Sequence, residues 1–261
     1  MATTKIEWAD KVWNPITGCT PVSAGCKNCY AKRMANRLRG RCGYPAENPF
    51  AVTLHIEKTY EPLKWKKPQR IFVSSMGDWM HEDVPVDYID QILEVIDACP
   101  QHTFLTLTKR PENLQEKLWG VTKENPFRFL GGGDYLKNLW IGVSIEDQPS
   151  ADKRLRELFQ VEKSMTGREH GLAAMKKFVS YEPAIGEVDF SAYLPRIMSP
   201  IGLDLIIMGG ESGPGARPMN PDWARKTRDD CKAAGVPFFL KHVSKKDGCL
   251  LDGKEHKETP R

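Results

Sequence analysis

Six stretches of this chain are continuous apolar, β-favouring runs rather than alternating ones. They are RIFVSSMGD at 70–78, HTFLTLTKR at 102–110, LWIGVSIED at 139–147, KFVSYEP at 177–183, LDLIIMGGESG at 203–213 and PFFLKHV at 237–243. A strand that is apolar on both faces must be covered on both, which is the condition of a parallel sheet flanked by helices. The connectors supply those helices. Between 85 and 98, Ile89, Ile92, Leu93 and Ile96 recur at helical spacing, while Asp87, Asp90, Glu94 and Asp97 fall elsewhere around the axis. Asn220-Pro221 opens another helix with a capping side chain and a first-turn proline, and Gly235 followed by Pro237 closes it. Repeated βα units predict an α/β protein with a TIM-like (β/α) barrel, partial, of about six parallel strands. The barrel is expected over 1–243, with 244–261 as a C-terminal appendage. Insertion loops are expected at 124–138, around Gly131-Gly132-Gly133, and at 161–176.

In such a fold the active site lies at the C-terminal ends of the strands. Those ends carry Ser74, Ser75 and Asp78; Thr108, Lys109 and Arg110; Ser144, Glu146 and Asp147; Ser180 and Glu182; Gly210, Glu211 and Ser212; and Lys241 and His242. One polar strand end means little, because strands run into polar turns anyway. Six in succession define a common mouth.

Cys19, Cys26 and Cys29 add chemistry to it. They lie on one loop in the spacing C-x6-C-x2-C, after an apparent first strand and before a basic helix. A tetrahedral metal centre needs several thiolates close together, and this loop supplies three. No fourth cysteine or histidine is near in sequence, Cys42 falling beyond the helix. Three ligands and one open position describe a reactive centre, whereas a structural zinc is normally closed by four. Structural zinc completed by a distant His55, His81 or His242, or three buried thiols, are the other readings; an iron–sulfur cluster with one unligated iron fits best. Seven cysteines, unevenly spread, suit reduced thiols better than a disulfide framework. The composition, 40% hydrophobic and 28% charged, suits a globular chain, and there is no bilayer-length apolar run and no signal-peptide pattern. A cytoplasmic protein and no membrane partner are therefore expected.

The ordered motifs WNPITGCTPVSAGCKNCYAKRMANRL, RIFVSSMGDWMHEDVP, HTFLTLTKRPENL, WIGVSIEDQPSADKRL, FVSYEPAIGEVD, IIMGGESGPGARPMNPDWAR and PFFLKH resemble the phage and prophage three-Cys-motif family. More remotely, the same order is similar to spore photoproduct lyase among the radical SAM enzymes. The shared features are a three-cysteine loop, a strand ending in Ser and Asp, one ending in Thr-Lys, and one ending in Ser before a helix containing Arg. The resemblance implies a 4Fe-4S cluster on Cys19, Cys26 and Cys29, with S-adenosylmethionine at the open iron. Its reductive cleavage would give a 5′-deoxyadenosyl radical, with electrons from a donor such as flavodoxin or ferredoxin. It also implies Tyr30 beside the adenosyl moiety, Ser75 and Asp78 near the SAM amino group, Lys109 at its carboxylate and Ser144 at its ribose. The loop departs from the commonest radical SAM spacing, C-x3-C-x2-C, by three residues, and the Gly209-Gly210-Glu211 run comes later than the usual Gly-Gly-Glu.

For the substrate, Arg110, Glu146, Glu182, Glu211, Arg217 and His242 are candidates for a polar pocket at the mouth. Lys64, Trp65, Lys66, Lys67 and Arg70 interleave an aromatic with cations, a pattern suited to phosphate contacts and base stacking; it equally describes a solvated turn with Trp65 against the core. The net charge of +4 permits a polyanion without requiring one. The resemblance implies a nucleobase, nucleotide or DNA substrate, as in base hypermodification. The competing function class is a zinc-stabilised, non-catalytic nucleic-acid-binding or scaffolding module.

Overall fold

The computed structural model describes residues 4, 6–124, 136–163, 175–195, 202–243 and 248–259. The six apolar runs form strands at β4 (Arg70–Val73), β5 (Thr103–Thr108), β6 (Leu139–Ile145), β7 (Lys176–Tyr181), β8 (Leu205–Gly209) and β9 (Phe238–His242). A seventh, β1 (Lys11–Trp13), joins them in the order β1-β4-β5-β6-β7-β8-β9. The strands are shorter than their apolar runs because each run's polar end turns out of the sheet. The order is sequential and helices fill the connections, giving the α/β topology of a partial TIM-like barrel, with seven strands rather than six. Among the described residues no helix is long and apolar enough to cross a membrane.

The chain divides into two compact units, 1–22 with 29–141 and 157–175, and 23–28 with 142–156 and 176–261. In the first unit β1, β4 and β5 pair in parallel, with Trp13 opposite Val73 and Val73 opposite Thr106. Trp13 is fully buried, its ring centroid 5.8 Å from that of Phe104 in an edge-on arrangement. The helix α2 (Val86–Asp97) buries Ile89, Ile92, Leu93 and Ile96, the stripe read from its spacing. At about 1.5–3 kcal/mol for each such side chain taken from water, that stripe holds the helix to the unit. The helix α3 (Glu112–Glu124) follows β5 and adds the buried Leu114 and Leu118. Two short strands, β2 (Ile16–Thr17) and β3 (Thr53–Leu54), pair antiparallel, and α1 (Tyr30–Arg37) follows the cysteine loop.

In the second unit β7, β8 and β9 pair in parallel around Phe178, Tyr181, Ile206, Ile207 and Leu240, all fully buried. The helix α4 (Gln148–Lys163) begins in this unit, and α5 (Pro221–Ala234) lies before β9. Asn220 caps α5 by accepting the Asp222 N–H at 3.0 Å, and Gly235 closes it in the left-handed conformation, as the sequence predicts. The residues read as an appendage run along β9: Leu240 N–H donates to His256 O, and Glu258 N–H to Phe238 O. Their hairpin, β10 (Leu250–Leu251) and β11 (Lys254–Glu255), places Asp252 against Arg225 and Arg228 of α5. Most of both expected insertion loops lies outside the described residues.

Candidate functional site

The cysteine loop is entered through a constrained turn. Gly18 has φ +86°, and a Cβ there would sit 2.0 Å from Ala51 O, so only glycine fits. Its N–H donates to Met76 O, and the next N–H, of Cys19, donates to Phe50 O. The Met76 carbonyl is offered by the turn that follows β4, where Ser74 takes a left-handed φ of 53°. That conformation costs a non-glycine residue roughly 1–2 kcal/mol. Asn14 offsets the strain, its Oδ1 accepting from Ser75 Oγ at 3.1 Å and from Met76 N–H at 3.2 Å. Ser75, expected near a cofactor amino group, is therefore bonded to Asn14.

Asp78 is buried, and its carboxylate accepts four bonds. Oδ1 takes Thr108 Oγ1 at 2.8 Å and Met80 N–H at 3.1 Å; Oδ2 takes Lys109 N–H at 3.0 Å and Arg110 Nη1 at 3.3 Å. A carboxylate has about four acceptor positions, so Asp78 is filled by the chain end that β5 delivers. Lys109 is half-buried there, its main chain pinned by Asp78.

Arg110 is the centre of this network, with a side chain 2% exposed. Nε donates to Glu82 Oε2 at 3.0 Å; Nη1 to Cys19 Sγ at 3.3 Å and to Asp78; Nη2 to Thr20 O at 3.0 Å and Thr20 Oγ1 at 2.7 Å. Those contacts use all five guanidinium N–H groups. Burial works to lower its pKa, but Cys19, Asp78 and Glu82 outweigh burial and hold it above the ordinary arginine value. Arg110, expected in a substrate pocket, is committed to Cys19 and Thr20. Thr20 Oγ1 also meets His81 Nε2 at 2.9 Å. The 80–84 turn that carries His81 is held by Asn113, which donates to Met80 O, and by the buried Lys117 amine, which donates to the carbonyls of His81 and Val84. Burial lowers the Lys117 pKa.

At the other end of the loop Cys29 is the N-cap of α1, its Sγ accepting the Lys32 N–H at 3.5 Å. Tyr30 follows it, 58% exposed. The histidines weighed as a distant fourth ligand in this unit are engaged at both ring nitrogens. His55 Nε2 meets Thr17 Oγ1 at 2.8 Å while its Nδ1 faces Lys58 and Glu57, and His81 Nδ1 takes the Asp83 N–H. The basic cluster lies at the opposite end of β4. Lys64, Lys66 and Lys67 are exposed, Arg70 pairs with Asp10, and the half-buried Trp65 has the Lys11 amine 4.1 Å above its ring.

In the second unit the segment 23–28, which carries Cys26, is gripped by three of the residues expected to bind substrate. Glu146 is buried; its Oε2 pairs with Arg154 Nη1 at 2.8 Å and its Oε1 accepts Ser23 Oγ at 2.8 Å. Ser23 Oγ lies 3.8 Å from Cys26 Sγ. A Cβ on Gly25 would fall 2.5 Å from Glu146 Cγ and Oε1. Glu211 takes Arg217 Nη2 at 2.6 Å and Nε at 2.9 Å, the Arg217 N–H at 2.9 Å and Asn28 Nδ2 at 3.0 Å; Arg217 Nη2 reaches on to Ala24 O at 3.0 Å. The Arg217 hydrogen bonds hold the Glu211 carboxyl at a pKa of about 2. Ser144, expected at a cofactor ribose, offers its carbonyl to Arg154 at 2.6 Å.

Farther along this unit, Ser180 Oγ donates to Glu182 Oε2 at 3.0 Å, and Lys241 Nζ meets the same carboxylate at 2.8 and 3.1 Å. His242 Nε2 is buried with no hydrogen-bond partner among the described residues. Glu182, just past β7, and His242, at the end of β9, both lie beside Gly209 at the end of β8. Asn14, Thr20, Ser23, Asn28 and Arg154 were not singled out from sequence; neutral loop residues and a mid-helix arginine carry no local mark. Among the described residues no group of three or more His, Cys, Asp or Glu side chains is gathered as a bound metal ion would require.

The fold and the braced cysteine loop define the class: a seven-stranded partial (β/α)-barrel protein whose strand ends hold a thiol-bearing loop. The chain matches the family described as "Protein of unknown function (DUF5131)" over residues 3–260, and belongs to it. No curated protein and no solved structure matches.

Proposed function

We propose that this protein is a radical SAM enzyme holding a 4Fe-4S cluster on Cys19, Cys26 and Cys29, acting on a nucleobase or nucleotide. The observation that carries this reading is the treatment of the thiols. Cys19 Sγ receives a guanidinium N–H and Cys29 Sγ a helix-terminal amide N–H, while Cys26 Sγ lies 3.8 Å from the Ser23 hydroxyl, whose hydrogen goes to Glu146. Donors directed at sulfur suit thiolates that ligate metal, because they orient the ligand and spread its charge. The donor set fits a centre with an open position; loading it would draw the three sulfurs of the loop to one cluster, since metal binding and local folding are coupled.

With cluster and S-adenosylmethionine bound, the site would supply one-electron chemistry that abstracts a hydrogen atom from substrate. The chain's own residues bind and orient. Lys109, whose main chain Asp78 holds, would offer its ammonium to the cofactor carboxylate, and Tyr30 would offer its exposed ring next to the last ligand. The saturated Asp78 acts through the main chain of Lys109 in this reading, and Ser75 through Asn14. Glu182, Lys241 and His242 remain as polar groups for substrate, a carboxylate, an ammonium and an imidazole able to meet the N–H and C=O edge of a base.

Anaerobic reconstitution with iron and sulfide, followed by dithionite and S-adenosylmethionine, tests the reading. Visible absorbance, four irons per chain as the cluster composition requires, and 5′-deoxyadenosine release are expected in the wild type, with loss of the cluster in Cys19→Ala, Cys26→Ala and Cys29→Ala. A colourless protein that retains zinc would replace the proposal with the non-catalytic module. Comparing 5′-deoxyadenosine release with free nucleotides against DNA separates the two substrate forms.

A further inference from the structure

The guanidinium of Arg110 has no N–H left for a substrate, yet it is buried at considerable electrostatic cost beside a sulfur. Folding alone asks only that each buried N–H find an acceptor, of whatever kind. This one is turned so that Nη1 is shared between Asp78 and Cys19 Sγ, and so that Nη2 grips both oxygens of Thr20, the residue next to that cysteine. Three of its five bonds therefore go to two consecutive residues of the loop. Asp78 and Glu82 hold the guanidinium from the other side, and Asp78 has no further acceptor position. Cys29 Sγ accepts a main-chain amide, and Cys26 Sγ lies 3.8 Å from the Ser23 hydroxyl.

We propose that Arg110 is a positioning residue and counter-charge for Cys19, which fixes that sulfur for metal and raises the reduction potential of the centre it ligates. This rests on the iron–sulfur reading above. When one electron passes from a low-potential reductant into a thiolate-bound cluster, the cluster gains one negative charge and the reductant is oxidised by one electron. A fixed cation and N–H donor at one sulfur stabilise the added charge, so reduction becomes easier. Low dielectric around a 2%-exposed side chain strengthens that effect relative to a surface arginine.

The test uses the full chain, reconstituted anaerobically with iron and sulfide, as wild type, Arg110→Lys, Arg110→Met and Asp78→Asn. Two quantities are read without substrate: the midpoint potential in a dithionite redox titration, and iron retention against a chelator. Arg110→Met is expected to shift the potential to more negative values and weaken iron retention about ten- to a hundredfold, the usual consequence of losing an outer partner of a metal ligand. Arg110→Lys keeps the charge but not the fork, and should fall between the two; Asp78→Asn, which removes a buried negative charge and retains Arg110, should not fall below the wild-type potential. If Arg110→Met does not fold, the double variant Asp78→Asn/Arg110→Met, which leaves no buried carboxylate stranded, replaces it. Equal potentials and equal iron retention in wild type and in the Arg110→Met or double variant would overturn the inference and leave the cluster standing. A wild-type chain that takes up no iron and sulfide would overturn both.

Discussion

Two arginine–carboxylate pairs meet the cysteine loop, and they differ in what they grip. In the first unit Arg110, paired with Asp78, reaches a sulfur and the residue beside it from a fully desolvated position. In the second, Arg217, paired with Glu211, reaches a main-chain carbonyl at Ala24 and keeps 29% of its side chain exposed. The first pair governs one sulfur atom; the second governs the path of the chain around another. A buried charge that acts on an atom and a half-solvated one that acts on a loop should also differ in energy. The desolvated one has more to lose: the stranded carboxylates are about equally buried, 7% exposed at Asp78 and 5% at Glu211, but losing Arg110 also unpairs Cys19 and Thr20 and empties a buried site.

Arg110→Met should therefore have the largest effect. Stranding the buried Asp78 is expected to cost about 3–5 kcal/mol in denaturant unfolding of the metal-free protein. Arg217→Met should cost about 1–3 kcal/mol, since Glu211 keeps the Asn28 amide and the main-chain N–H of residue 217 as donors. Equal losses from the two would erase the distinction drawn between them.

Gly25→Ala probes the second grip directly. The added methyl would overlap Glu146, and overpacking of this kind costs about 1–3 kcal/mol. Faster proteolytic nicking within 23–28, with the β1–β4–β5 part of the chain unchanged in hydrogen exchange, is the expected signature.

The two grips should also part in acid. In the first unit the pKa values of His55, His81 and His102 are all lowered, burial being the largest cause in each. The unfolded chain then binds more protons than the folded one once the pH falls below about 6.5, the ordinary histidine value, so stability drops from there down through the folded pKa values and the full loss is present below them. Glu211 has the opposite sense: its contribution is intact above the ordinary carboxylate range and is lost only as the pH falls toward about 2. Hydrogen exchange at pH 5 against pH 7.5 should show loosening around Thr17, Thr20 and the 80–84 turn while Asn28 and Arg217 stay protected. Loosening first at 23–28 would reverse the order.

The smallest effect on stability is expected at the far end of β4. Replacing Lys64, Lys66, Lys67 and Arg70 with Ala should change stability little, about 0.5 kcal/mol per exposed lysine at most. If this end tracks phosphate, the variant flattens the salt dependence of DNA binding and leaves 5′-deoxyadenosine release without substrate intact. An unaltered salt slope would return the cluster to a solvated turn with Trp65 held beneath Lys11.

The local and periodic features were legible in the chain itself. Apolar runs with no alternation predict strands covered on both faces, and six strands, the stripe of α2 and both caps of α5 stand where those patterns put them. The three-thiol spacing, and the polar groups clustered at strand ends, are likewise properties of sequence. What those polar groups do was decided by tertiary structure. Arg110, Glu146, Glu211 and Arg217 are indistinguishable in sequence from residues that face a substrate, because a charge at a strand end looks the same whether its partner is a ligand or a loop. Folding brings Arg110 to Cys19 across 91 positions and Asn28 to Glu211 across 183, and at such separations neither periodicity nor spacing says which donor meets which acceptor. A buried charge must find a partner. Only the packed chain determined that, for these residues, the partner is the cysteine loop.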